Sequence, residues 1–449
     1  MKPRVLILGA GISGLACAWY LGEHFGNALD VKVLEKEERA GGWIRTLNEE
    51  GFLFELGPRG CRPKDAGIAT LQLVDSLGLR DSIITAPEAA HRRYLYLGGH
   101  LRCLPHSLGS FLLSPFAWPL VPALARDLLT SANMDSDESV YDFACRRLGR
   151  YVAETFMDPL VLGIYGGDLR HLSVRACFTR LWEMEQQNGG LLKSLFARRS
   201  SSSQTLPGWM QSIQKAGLFS FREGMQTLPD SLAHALQDKV LFGTDVEALV
   251  NRDGHWIVHT DRGNFEAELL ISALPLHSFA KVYPEFPVPQ LNYQSLCVIN
   301  MGWNASVKNL TGFGHLVPRK EGEANLGVVW DSDVFPQQND GEQTRLTVMF
   351  GREASVEEAR EVLRAQMGIT VAPDAVRINS AKQAVPQYPL YHLDTVCALK
   401  ERGEALQPPL YFLGNSFEGV GVNDCILQAK QLASRLCDRL PIHPVSQIR

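Results

Sequence analysis

The chain lacks the features that mark several large protein classes. It carries 44 Lys and Arg against 49 Asp and Glu, a net charge of −5, so no cationic surface for nucleic acid is expected. Its 9 cysteines, an odd number, run from Cys17 to Cys437 without a C-x-x-C pair. That argues against zinc or iron–sulfur ligation and for free thiols in a reducing compartment. The 12 histidines show no H-x-x-H and no His-carboxylate spacing, so neither a metal site nor a catalytic acid or base is assigned. There is no internal repeat. The first apolar strand starts almost at Met1, and no secretory or transit segment is expected.

An unbroken apolar span is missing too. From Cys103 to Ala125 there is no Asp, Glu, Lys or Arg, a length that could cross a bilayer. Pro105, Pro115, Pro119 and Pro122 interrupt it, each removing a backbone donor. Carbonyls left unpaired by such breaks are costly in hydrocarbon. A monotopic surface of short helices and turns fits this pattern, and a Pro-rich, partly buried loop is the alternative.

What is present suits a large globular protein: 449 residues, 45% hydrophobic and 21% charged, enough for two or three domains. Residues 1–60 are the most informative. The apolar run VLIL leads into Gly9, Ala10, Gly11, Ile12, Ser13 and Gly14, a G-x-G-x-x-G that opens a helix. In such a turn the first glycine allows the bend, the second admits a pyrophosphate and the third lets helix and strand pack closely. The helix N-terminus then faces the phosphates. Glu35 closes the next apolar strand, where a carboxylate can accept a ribose hydroxyl.

A second set of glycines separates the possible dinucleotides. Arg39, Gly41, Gly42 and Trp43 follow Glu35, and Gly57, Pro58, Arg59 and Gly60 follow those. A nicotinamide dehydrogenase needs no such second pair, and no other complete G-x-G-x-x-G occurs. In the nearest candidate, Gly419 to Asp424, an Asp stands where the third glycine belongs. The chain resembles the FAD-dependent amine oxidase and porphyrinogen oxidase superfamily, which carries R-x-G-G after the ribose carboxylate and a second glycine turn beside the isoalloxazine. GGWIRT, FELGPRG, GFGHLVP (312–318), LGVVWDS (326–332) and EGVGVNDCI (418–426) are similar to the protoporphyrinogen oxidase family, from about residue 4 to residue 432.

The resemblance implies an α/β fold: a Rossmann-like FAD-binding domain, an inserted helical membrane-binding domain and a mixed-sheet substrate domain. The FAD-binding domain is expected from 1–88, 206–276 and 391–449, the helical membrane-binding and substrate-channel domain from 89–205, and the substrate-binding domain from 277–390. Helical spacing is expected across 139–165 and over FREGMQTLPDSLAHAL (221–236), with strands in CVINMGW, GFGHLVP, NLGVVWD and RLTVMFG.

Residue by residue, the resemblance places Asn415, Val420, Gly421 and Val422 at the flavin, with Asn423 and Asp424 as caps of the last helix, and Val246 against the adenine. A helix N-terminus there would stabilise negative charge on the reduced ring. Arg59 is expected near the ring, where a planar, permanent cation stabilises developing negative charge.

Arg93 is expected to clamp a propionate of a tetrapyrrole. Strand alternation puts Arg93, Leu95 and Leu97 on one face and Arg92, Tyr94 and Tyr96 on the other. Gly167, Leu326 and Met349 are expected to line the same pocket. The implied activity is FAD-dependent six-electron oxidation of a porphyrinogen, with dioxygen as acceptor and hydrogen peroxide as product. Protoporphyrinogen IX is the first choice and coproporphyrinogen III the alternative. Amine oxidation is disfavoured because Gly414-Asn415 stands where amine oxidases read G-E. Expected partners are the tetrapyrrole, a membrane surface at the cytoplasmic face, a second copy of the chain and a ferrochelatase that receives the product.

Overall fold

The computed structural model describes residues 2–105, 111, 118–134, 136–196 and 206–439. Most of the proline-broken apolar stretch, including Leu112, Leu113 and Phe116, and the polar linker 197–205 lie outside the described residues.

A five-stranded sheet forms the base, in the order Leu410–Phe412, Leu269–Ser272, Arg4–Leu8, Asp30–Leu34 and Val240–Leu241. All of its pairings are parallel. Because side chains alternate along a strand, Val5 and Ile7 enter one core while Leu6 and Leu8 enter the other. The first core is closed by helices Ile12–Phe25 and Val422–Arg439, which supply Leu15, Leu21, Ile426 and Leu432. The second is closed by the antiparallel ribbon Val246–Arg252, His255–Thr260 and Gly263–Ala267, with Trp256 fully buried. Three separate stretches of the chain therefore build one sheet.

A seven-stranded mixed sheet faces this domain. Its order is Ala375–Gln387, Asn292–Trp303, Thr344–Phe350, Gly327–Val329, Gly314–Leu316, Arg93–Leu97 and His100–Cys103. The expected strand Arg93–Leu97 forms, and with His100–Cys103 it leaves the range 89–205 assigned to the helical domain and extends the sheet of 277–390. Gly98 and Gly99 both take positive φ (58° and 77°) and close the hairpin between the two strands. Arg93–Leu97 then pairs in parallel with Gly314–Leu316.

Two other expectations change. In 221–236 the helix covers only Thr227–Leu236. Phe219–Phe221 is a strand, and Gly224 turns at φ 87° while the next amide, Met225 N–H, is bound by Glu55. Residues 139–165 form a broken helix: Gly149 (φ 87°) separates Val140–Leu148 from the turns leading to Asp158–Tyr165, which ends at Gly166 (φ 61°).

The helical part is organised around Arg147, which is fully buried between Asp127 (2.9 Å) and Glu185 (2.6 Å). Asp127 lies on helix Leu120–Leu129 and turns that helix so that its one acid faces inward. Val121, Leu124, Leu128 and Leu129 are left facing out, Leu129 at 86% exposure. No helix among the described residues is long and apolar enough to cross a membrane.

Candidate functional site

The glycine turn after Arg4–Leu8 is built to be open on one side and tight on the other. Gly9 takes φ 97°, which favours glycine. A Cβ on Gly14 would stand 2.0 Å from the Gly9 carbonyl oxygen, so only glycine lets the helix lie this close to the strand. A Cβ on Gly11 meets nothing within 4 Å, because it points into open space. The first N–H groups of helix Ile12–Phe25, those of Ile12 and Ser13 among them, have no intrahelical partner and point along the axis toward that space.

The second glycine pair is fastened to the first. Gly41 N–H donates to the Ala10 carbonyl at 2.9 Å, and a Cβ on Gly42 would approach Gly11 Cα to 3.3 Å. Arg39 wraps this turn, donating to the carbonyls of Ala40, Ile44 and Gly42 at 3.2, 3.0 and 2.7 Å. Its guanidinium is engaged by the turn and by Glu37, so its part in the site is to shape the cradle. Ala10 acts in the same way, since its N–H donates to Glu35 Oε2 at 2.7 Å. Glu35 stands at the mouth of the turn, and its carboxylate keeps lone pairs for a further donor. Val246 follows Thr244, whose N–H donates to the Glu35 carbonyl at 2.8 Å, and packs at the edge of the core beside this strand end. Trp43, next to Gly42, is 42% exposed.

The second turn links the two sheets. A Cβ on Gly57 would lie 2.0 Å from the Trp43 carbonyl, and one on Gly60 would touch both the Phe219 carbonyl and the Phe335 ring. Between them, after Pro58, Arg59 Nε donates to Asp331 Oδ1 at 2.7 Å while its buried Nη2 has no partner. Asp331 Oδ2 accepts from Thr347 Oγ1, which also lies 2.6 Å from Asn300 Oδ1. Asn300 Nδ2 is likewise buried and unpaired. Glu55, on the strand before the turn, is pushed up to about 7 by burial, against the opposing pull of the Met225 N–H, the Thr46 hydroxyl and Arg59.

The last strand and helix bring in the third wall. Gly414 has φ 122°, and a Cβ there would lie 3.9 Å from Ser13 Oγ. The Tyr388 hydroxyl donates to the Asn415 carbonyl and accepts from Gly419 N–H, holding this turn from behind. Helix Val422–Arg439 starts after Val420 and Gly421. Asp424 caps it, accepting from Gly421 N–H at 3.1 Å, and burial raises its pKa. Asn423 does not cap. Its side chain accepts from the Thr70 hydroxyl and donates to the Arg62 carbonyl, joining the helix to the loop after Gly60.

The face of the mixed sheet carries the substrate candidates. Arg93 lies over the Phe313 ring at 5.1 Å. Its pKa is lowered first by desolvation and then by the nearby charge of Arg62. Arg92 points the other way, to the Thr311 hydroxyl, on the side where Tyr94 packs against Trp330. Met349 and Phe313 pack on the same small cluster as Phe335. Leu326 N–H donates to the Met349 carbonyl at 2.8 Å. Gly167 lies farther along this wall, where a Cβ would collide with Gln387 and where its carbonyl accepts from Arg319. The neighbouring Gly166 abuts Gln294, which reaches the Gly351 carbonyl beside Leu326.

A two-glycine cradle on a parallel sheet, facing a mixed sheet across a glycine-proline turn, agrees with a family model. The model for flavin-containing amine oxidoreductases matches residues 12–437. The chain belongs to that family.

Among its relatives, the protoporphyrinogen oxidase of Bos taurus is 36% identical over 98% of this chain and 100% of its own length. The coproporphyrinogen III oxidase of Bacillus subtilis is 27% identical, with 96% and 97% covered. A crystal structure from Exiguobacterium sp. 255-15, whose protein carries the protoporphyrinogen oxidase name provisionally, superposes with a TM-score of 0.84 at 22% identity, covering 98% and 100% of the two chains.

As a member of this flavin-containing family the protein is an FAD-dependent oxidase. The residues present fit the cofactor. The open space at Gly11, the exposed Gly42 and the carboxylate of Glu35 suit a dinucleotide, and the buried, unpaired Nη2 of Arg59 is a donor that lacks an acceptor. Sequence reasoning did not find Asp331, Thr347, Asn300 and Tyr388. Asp331 lies inside the quoted LGVVWDS segment, but nothing in the sequence pairs it with Arg59, 272 residues away. All nine cysteines are unpaired, and no group of metal-ligating residues occurs among the described residues.

Proposed function

We propose that the protein oxidises protoporphyrinogen IX to protoporphyrin IX. Six electrons and six hydrogens leave in three rounds, and three molecules of dioxygen are reduced to hydrogen peroxide. The observation that carries this reading is Arg93, a guanidinium that has no carboxylate partner among the described residues and stands over an aromatic ring at the edge of an apolar wall. A reduced tetrapyrrole has the matching form, an apolar disc with carboxylates at its rim. The 36% identical relative bears the corresponding name.

The chemistry a bound FAD supplies is two-electron, hydride-accepting oxidation. Gly9 to Gly14, Glu35 and Gly42 would hold the dinucleotide. Arg59, braced by Asp331, would set a fixed positive charge beside the ring. Val420, Gly421, Val422 and Asn415 would back the ring with main chain. Phe313, Leu326, Met349 and Gly167 would orient the disc, with Arg93 on a propionate, so that positioning supplies most of the rate. No side chain is assigned as acid or base.

We also propose that the protein works at a membrane surface. Burying Asp127 leaves Val121, Leu124, Leu128 and Leu129 in solvent, forgoing about 1.5–3 kcal/mol for each side chain that could be buried. That outward face lies at the C-terminal end of the charge-free stretch of the sequence, and its exposed aliphatic side chains are suited to lipid. A substrate of low solubility would reach the site from that side.

Coproporphyrinogen III is the second reading, on the strength of the Bacillus subtilis relative. Anaerobic mixing with each porphyrinogen separates the two. Rapid bleaching of the flavin band by protoporphyrinogen and slow bleaching by coproporphyrinogen is expected. The reverse order would reassign the substrate, and no bleaching by either would end the porphyrinogen reading.

A further inference from the structure

Two neighbouring strands of the mixed sheet turn opposite faces to the two halves of the site. In strands Asn292–Trp303 and Ala375–Gln387, Asn292 pairs with Gln387, Tyr293 with Pro386 and Gln294 with Val385. Side chains alternate along a strand, so Gln294 and Gln387 project from one face, and Tyr293 projects from the other with Tyr388, the residue after the second strand. The contacts follow that division. On the first face a Cβ on Gly166 would lie 3.0 Å from the Gln294 side chain, and one on Gly167 would lie 1.7 Å from Gln387 Oε1. Gln294 Nε2 donates to the Gly351 carbonyl and Gln387 Nε2 to the Tyr165 carbonyl, each at 2.9 Å. The two glutamines thus fix the Gly166–Gly167 wall.

On the second face both tyrosine hydroxyls reach the turn that follows Leu410–Phe412. The Tyr293 hydroxyl accepts from Leu276 N–H at 3.0 Å and lies 2.8 Å from Ser416 Oγ. The Tyr388 hydroxyl donates to the Asn415 carbonyl and accepts from Gly419 N–H at 3.2 Å. Its ring stacks on His392 at 4.1 Å, and His392 Nε2–H donates to the Phe417 carbonyl at 2.9 Å. Tyr388 is fully buried. A phenylalanine would fill the same space without burying a polar group, which is costly unless it is bonded. What the hydroxyl adds is its hold on the backbone of the turn.

We propose that Tyr293 and Tyr388 are positioning residues that keep the turn from Asn415 to Val422 in register with the Gly166–Gly167 wall, so that one strand pair sets both the flavin ring and the disc that meets it. This rests on the placement of that turn beside the ring and of Gly167 beside the substrate given above, and deepens it. Two-electron transfer depends steeply on how the reactants are held, and a strand pair bonded to both sides leaves no soft joint between them. The turn also leads into helix Val422–Arg439, whose free N–H groups favour negative charge on a reduced ring. Loosening the turn therefore weakens cofactor binding and makes reduction of the ring less favourable.

The test compares FAD-loaded wild type with Tyr388→Phe, Tyr293→Phe and Gly421→Val. Phenylalanine keeps each ring, so both tyrosine variants should fold and lose only a few degrees in Tm. Tyr388→Phe should raise the Kd for FAD, measured by reconstitution, roughly tenfold. It should also move the midpoint potential of the bound flavin to more negative values and slow flavin reduction by protoporphyrinogen IX, with KM nearly unchanged. Tyr293→Phe should act in the same direction. An unchanged FAD Kd and midpoint potential in both tyrosine variants overturns the positioning role, whatever happens to Tm. Gly421→Val tells this failure from a failure of the placement, because bulk at Gly421 alters the flavin spectrum if the turn lies beside the ring. An altered spectrum in Gly421→Val beside two wild-type-like tyrosine variants rejects the tyrosine pair alone. Unaltered spectra, Kd and potential in all three variants reject the placement as well.

Discussion

Arg59 donates its Nε–H to Asp331 Oδ1 across 2.7 Å, and this contact pins the second glycine turn of the nucleotide domain to the sheet opposite. Both side chains are largely buried, at 16% and 13% exposure. Removing one partner leaves a charge in a poor solvent, a loss of about 3–5 kcal/mol in fully buried pairs. Asp331→Ala is therefore expected to lower Tm and also flavin occupancy, because the proposed place of Arg59 beside the ring depends on this brace. Thermal unfolding and the flavin-to-protein absorbance ratio check both effects. An unaltered flavin content would detach Arg59 from the cofactor.

Gly11 and Gly14 should separate cofactor binding from folding. Gly11→Val fills open space, so the variant should fold with near wild-type circular dichroism and be colourless, because the side chain occupies the pyrophosphate position. Gly14→Ala sets a Cβ 2.0 Å from the Gly9 oxygen and should fail to fold or lose several kcal/mol. A yellow Gly11→Val protein would displace the dinucleotide from this turn.

Glu55 gives stability a pH slope. Burial moves it from 4.5 to about 7, so the folded state binds its proton more tightly than the unfolded chain does. Its contribution is fully present below the unfolded value and is lost as pH rises through the folded one. Glu55→Gln keeps an acceptor for the Met225 N–H and can donate to the Thr46 hydroxyl. Urea unfolding should show the wild type losing stability relative to this variant between about pH 5 and pH 8. His315 and His392, both pushed down to about 4 by burial, tilt the curve the other way and cancel in the comparison. A difference that does not vary with pH would show Glu55 charged at neutrality.

Arg92→Ala should leave kcat/KM near wild type, because Arg92 reaches Thr311 on the far side of the strand. Arg93→Ala should lose roughly ten- to a hundredfold, with Tm and flavin spectrum unchanged. Equal effects from the two would remove Arg93 from the substrate site.

The outward face of helix Leu120–Leu129 is testable apart from the chemistry. Replacing Val121, Leu124, Leu128 and Leu129 by Ser or Gln should weaken cosedimentation with lipid vesicles and leave flavin content intact, since these side chains are exposed. Unchanged partition would show that the face serves another contact.

The cradle was legible because its requirements are local. Positive φ at Gly9, the clearance at Gly14 and the carboxylate closing the second strand each follow from a few consecutive residues. The alternation that separates Arg92 from Arg93 is equally local. The Arg59–Asp331–Thr347–Asn300 chain was not legible, since it joins four elements whose proximity only the tertiary fold creates. The strand at Arg93–Leu97 was legible, but its place in the mixed sheet was not, because it pairs with Gly314–Leu316, more than 200 residues on. Asn423 has good capping chemistry, yet the loop at Arg62 and the Thr70 hydroxyl claim its side chain first.

The base sheet imposes an order of events on synthesis. Leu410–Phe412 pairs with Leu269–Ser272, which in turn pairs with Arg4–Leu8. A ribosome that has made the first glycine turn must still produce some four hundred residues before Tyr388, Gly414 and helix Val422–Arg439 can close over it. Until then the nascent chain presents a half-built pocket whose parallel strands lack their neighbours, and long-range closure of this kind is slow. Capture of the cofactor is thus a step that follows translation, and a premature stop even a few tens of residues from the end should yield a chain that binds no flavin.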